Sequence, residues 1–90
     1  MENELERLRR EIDELDGQIM EALSRRMDIS EKIGEYKRRC ALPVFVPERE
    51  KLILEKASAL AGEKKAENIM ELYRLIMEQS RRCQEKENDG

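Results

Sequence analysis

Residues 5–40 read LERLRREIDELDGQIMEALSRRMDISEKIGEYKRRC. The apolar members recur as Leu5, Leu8, Ile12, Leu15, Ile19 and Ala22, then Ile29, Ile33, Tyr36 and Cys40, in steps of three and four that trace one helical face. Asn3 is placed to cap the first turn, and Pro43 restricts Leu42 and bars continuation. The pattern predicts one helix from about Asn3 to Cys40. At ~1.5 Å per residue it is roughly 55 Å long, about twice the breadth of a globular domain of this size. Such a helix needs packing partners along its whole length.

The rest of the chain supplies part of them. Pro47 to Ala61 begins with proline at a first-turn position and stops at Gly62, which defines a second helix. A third runs from about Ala66 to Gln84 with Ile69, Leu72, Tyr73, Ile76 and Met77 on one face, and the polar tail 85–90 is expected to fray. The expectation is an all-α fold of one long and two shorter helices in a single domain, 1–90. The long seam also offers a face to a second copy of the chain, since 90 residues alone bury a modest core.

Composition narrows the function. Charged residues make up 43% of the chain and the only aromatics are Tyr36, Phe45 and Tyr73, which suits long helices and not an aromatic-rich β-sandwich. Charges of both signs are interspersed and the formal net charge is -3, so no basic stripe is available for nucleic acid. No apolar run approaches about 18 residues and the amino terminus is acidic, which argues against a membrane span or secretory signal and for a cytoplasmic protein. With no histidine, and with Cys40 and Cys83 far apart, a metal or redox centre has no ligand set; two reduced thiols are expected.

Polar residues stand where the apolar pattern calls for packing. Arg26 interrupts the seam between Ala22 and Ile29. It is either a register-setting polar residue of a helical dimer or a buried cation with a ligand. Lys37 lies eleven residues further on, about three turns, and so points to nearly the same side; read alone it also fits a solvated face. The face of the third helix continues into Ser80 and Gln84, either turned inward or emerging into solvent near the helix end. Arg49 and Glu50 occupy the first turn of the second helix, where glutamate complements the helix dipole and arginine does not. No nucleophile–base pair accompanies these groups, and the constellation suits binding a dianion more than covalent catalysis.

Several blocks resemble the all-helical chorismate mutases: Leu8-Arg9-Arg10-Glu11-Ile12-Asp13-Glu14-Leu15-Asp16, Leu23-Ser24-Arg25-Arg26, Ile33-Gly34-Glu35-Tyr36-Lys37, Pro47-Glu48-Arg49-Glu50 and Ile76-Met77-Glu78-Gln79-Ser80-Arg81-Arg82-Cys83-Gln84. The resemblance covers about Leu5 to Gln84. It implies an intertwined homodimer with shared active sites and the cofactor-free Claisen rearrangement of chorismate to prephenate, toward phenylalanine and tyrosine. By the same resemblance Arg26 and the Arg9 of a second chain bind the carboxylates, and Lys37 and Gln84 hydrogen-bond the ether oxygen. Arg49 is implied as a supporting cation, Glu50 as acceptor of the ring hydroxyl, and Ser80 as a lining polar contact.

Arg9 precedes Arg26 by seventeen residues, roughly 25 Å along one helix, which a small dicarboxylate cannot span. A catalytic Arg9 must therefore serve a second chain. The residue before Pro47 is often aspartate in the family and is Val46 here, which removes a side-chain cap and leaves only a backbone contact to the ring hydroxyl. The apolar connection Ala41 to Val46 is read as closing over the core or the site. Two rivals remain at this stage: an isochorismate-pyruvate lyase of the same fold, and a non-enzymatic helical dimerisation module.

Overall fold

In a computed structural model, which describes residues 1–86, three helices are joined by two short connections: α1 (Glu4–Arg39), α2 (Pro47–Ala61) and α3 (Ala66–Glu85). There is no strand among the described residues. The fold is all-α, as the periodicity requires. Each helix end has an identifiable cause. The Asn3 side chain accepts from the Glu6 amide at 2.8 Å, satisfying one orphan donor of the first turn, and Glu4 and Glu6 lie at the positive end of the dipole.

At the far end of α1 the Leu42 amide donates to the Lys37 carbonyl at 2.8 Å and the Ala41 amide to the Arg38 carbonyl at 3.3 Å. This is a Schellman closure, with Ala41 in the left-handed conformation (φ 55°) where glycine is usual. The next helix opens on Pro47 without a side-chain cap, Val46 supplying only its carbonyl to the amides of Arg49 and Glu50. Gly62 ends it at φ 80°.

α3 is the hub. Both α1 and α2 pack on it, whereas α1 and α2 make no direct backbone approach to each other. The molecule is long and flat, 58 × 34 × 13 Å, with a radius of gyration of 16.8 Å against about 12 Å for a compact chain of this length. Among the described residues the buried apolar core amounts to Ala57 and Met77.

The structure corrects one expectation about packing. The first half of the apolar seam of α1 does not meet the other two helices: Leu5, Leu8, Ile12, Leu15 and Ile19 keep between 44% and 57% of their exposure, while Ile29 and Ile33, also exposed, border a cavity shared with α2 and α3. α1 instead presents Ser30 and Gly34 to α3. Small residues let two helices come closer than branched ones allow. A Cβ placed on Gly34 would sit 2.3 Å from the Gln84 carbonyl oxygen and 2.6 Å from its Cα. On α3, Leu72 is likewise exposed, and the buried residues are Met77, Ser80 and Gln84.

Candidate active site

The close approach at Gly34 brings the polar residues of α1 and α3 into register. Ser30 and Ser80, both buried, share a hydrogen bond of 2.6 Å between their hydroxyls. One turn beyond Gly34, Lys37 donates from Nζ to Gln84 Oε1 at 2.9 Å and to the Val44 carbonyl at 2.9 Å. The Arg38 guanidinium donates to the Gln84 carbonyl at 2.8 Å and holds the last turn of α3. Ser80 and Gln84 therefore point inward.

These groups open onto a cavity of about 530 Å³ bounded by α1, α3, the 41–46 connection and the start of α2. Arg26, Lys37, Val46, Arg49, Glu50, Ser80 and Gln84 all line it. Arg26 is half-buried and Arg49 exposed at the rim. Arg9 does not line it: it stands exposed on the free amino-terminal half of α1. A volume in the few-hundred Å³ range matches small-molecule sites. A larger and more open hollow of about 630 Å³ flanks α2, lined by Leu54, Ala59 and Met70, but it lacks converging cations and amides.

Protons and lone pairs in the site are largely assigned by these contacts. A lysine has three N–H donors, and two of those on Lys37 are used on Gln84 and Val44, leaving one for a ligand. Because Gln84 receives Lys37 on Oε1, its amide presents the N–H₂ end as donor. Two donors of different elements thus converge. Among the described residues no group of three or more His, Cys, Asp or Glu is placed to hold a metal ion.

One feature of the site agrees with the reading of the 41–46 connection as a cover, and two were not foreseen from the sequence. The Val44 carbonyl fastens Lys37, so the apolar connection does close over the cavity, though Leu42 stays about half exposed. Gly34 sets the helix separation; a glycine mid-helix costs about 1 kcal/mol relative to alanine, and that cost was the available clue. Glu50 is not a free acceptor, because Arg81 Nη1 donates to both its carboxylate oxygens, at 2.6 Å to Oε1. Arg81 lies four residues from Met77 and three from Gln84, on their face of α3, which was the signal for it.

An all-helical frame whose cavity gathers four cationic side chains, the Gln84 amide and the Ser30 and Ser80 hydroxyls around the single carboxylate Glu50 defines the class of site, one suited to binding an anion. The chain belongs to the chorismate mutase type II family, which matches residues 8–85. It is 39% identical over 79 residues to a bifunctional chorismate mutase/prephenate dehydratase of Aquifex aeolicus, covering 82% of this chain and 22% of that protein. It is also 39% identical over 62 residues to a 4-amino-4-deoxychorismate mutase of Streptomyces venezuelae, covering 69% of this chain and 60% of that one. A chorismate mutase of Methanocaldococcus jannaschii is 28% identical over 88 residues, 96% of this chain and 89% of its own length. The chain thus spans about a fifth and three fifths of the first two relatives, and no solved structure matches it at a significant level.

Proposed function

We propose that this chain is a chorismate mutase that rearranges chorismate to prephenate in the cytoplasm, as a homodimer with shared active sites and without a cofactor. The observation that carries the reading is the Lys37–Gln84 pair, two donors from separate helices joined at 2.9 Å on the wall of a cavity that Arg26 and Arg49 also line.

The rearrangement is intramolecular and pericyclic, so the protein's task is to select a conformer and stabilise charge. Guanidinium forks on the two carboxylates hold the substrate with its ends close, an orientation effect that counts to the extent that the bound form resembles the transition state. As the ether bond breaks, negative charge grows on its oxygen. Lys37 and Gln84, already held by each other, by Val44 and by the helix contact at Gly34, donate there without reorganisation. Losing one such donor costs about 2.7–4 kcal/mol of barrier in other enzymes.

Arg26 supplies one carboxylate fork. The second comes from Arg9 of another copy, because in α1 the two arginines of one chain lie roughly 25 Å apart on a continuous helix. The uncovered seam from Leu5 to Ile19 supports the same pairing: covering each residue is worth about 1 kcal/mol.

The assay follows chorismate loss with prephenate as product; pyruvate release instead identifies a lyase, and neither leaves the dimerisation module. Sharing is tested by mixing Arg9→Ala and Arg26→Ala chains. Each is expected to be nearly inactive alone, and random re-pairing restores about one quarter of wild-type activity, through the one intact site of each mixed dimer. No recovery on mixing refutes the shared site.

A further inference from the structure

Resting on that reading, we propose that Arg81 is a positioning and specificity residue: by pairing with Glu50 it commits the site to a neutral hydroxyl on the substrate ring and rejects a ring ammonium.

Four cationic side chains line the cavity, Arg26, Lys37, Arg49 and Arg81, against a single carboxylate, Glu50, a net of +3 among the described residues. That balance favours the substrate's two carboxylates. A ligand bearing a cationic substituent needs an uncompensated acid to receive it. Among the described residues lining the cavity the one candidate is Glu50, and both its oxygens already accept from Arg81 Nη1. Val46, which also lines the wall beside the start of α2, brings no charge.

The pair is built into the fold. The Arg81 guanidinium carbon stands 5.2 Å from the centre of the Phe45 ring, so the 41–46 connection supports one side of the guanidinium while Glu50 holds its edge. The two side chains retain 30% and 22% of their exposure, a partly screened setting in which charge complementarity still discriminates. A carboxylate already accepting from arginine keeps lone pairs for a hydroxyl donor. An ammonium brought to the same oxygens meets the arginine charge as well. An unpaired Glu50 reverses this preference, because a charge-assisted bond to ammonium is stronger than one to hydroxyl.

The relevant pair of ligands is chorismate and 4-amino-4-deoxychorismate, which differ at that one ring substituent. The quantity read is the ratio of kcat/KM for the two in the dimeric protein. The wild type is expected to favour chorismate. Arg81→Leu is expected to move the ratio toward the amine by about tenfold or more, Arg81→Lys to restore most of the wild-type preference, and adding Glu50→Gln to Arg81→Leu to abolish the shift. Far-UV circular dichroism and thermal melts identify a variant that has merely lost its fold, and Arg81→Gln then replaces Arg81→Leu.

An unchanged ratio in folded Arg81 variants that still turn over chorismate overturns this proposal alone. So does a wild type that prefers the amine. Turnover of neither substrate by the wild type overturns the mutase reading, and this proposal with it.

Discussion

Replacing Gly34 with alanine tests how the active site is assembled. The added Cβ lies 2.3 Å from the Gln84 carbonyl oxygen, whereas ordinary contact begins near 3.4 Å, so α1 and α3 must part by about 1 Å at this point. The obstacle is backbone, which has no rotamer to yield. With both side chains kept in their rotamers, a displacement of that size stretches the 2.9 Å Lys37–Gln84 bond to nearly 4 Å, beyond hydrogen-bonding distance. Misplacing a catalytic group by ~1 Å costs about a hundredfold in rate. Stability responds differently: alanine gains about 1 kcal/mol of helix propensity while overpacking costs about 1–3 kcal/mol, for a net loss of about 0–2 kcal/mol. The expected result is therefore a folded protein whose kcat/KM falls by about a hundredfold or more, measured by chorismate absorbance beside urea unfolding. Gly17→Ala is the matched control, since a Cβ there meets nothing within 4 Å; it is expected to gain about 1 kcal/mol and keep its activity. If Gly34→Ala keeps near-native activity and gains stability as the control does, the close helix contact does not position the donors.

Three further outcomes follow from named contacts. Gln84→Glu is expected to lose kcat/KM progressively as pH rises, because a carboxyl donates only while protonated and the Lys37 ammonium 2.9 Å away favours its ionised form; a flat pH–rate profile refutes Gln84 as donor. Ala41→Gly relieves a left-handed residue at the end of α1 and is expected to raise stability by about 0.5–1 kcal/mol in denaturant titrations; an unchanged or lower midpoint counts against strain at that turn. Val46→Asp supplies the side-chain cap that α2 lacks and is expected to add about 1 kcal/mol by the same measurement, an effect absent if the Val46 carbonyl contacts already fix the turn.

The helix ends were legible in the sequence because caps and breakers act locally. Asn3, Pro47 and Gly62 stop or start helices through their own backbone and nearest amides, and the structure puts α2 at Pro47–Ala61. The inward turn of Ser80 and Gln84 was legible too, since a polar residue on an apolar stripe is visible in one dimension. The face α1 offers to α3 was not. The strongest periodic signal, Leu5 through Ile19, belongs to a surface that this chain does not cover, and it masked the weaker signature of Ser30 and Gly34. The Glu50–Arg81 pair joins residues 31 apart on different helices and depends on how α2 and α3 are placed together, which neither segment specifies alone.

Lys37 ties α1 to the strap that leads into α2 through the Val44 carbonyl, whereas the two helices make no direct backbone approach to each other. Under the proposed mechanism the residue is fastener as well as donor. Truncating it releases one wall of the pocket along with one charge, so any rate lost by Lys37→Ala is expected to sum a chemical and an architectural defect. Kinetic comparisons across position 37 therefore need a second axis. Crossing each change with Gln84→Ala in a double-mutant cycle isolates the coupling between the two donors from the slackening of the strap.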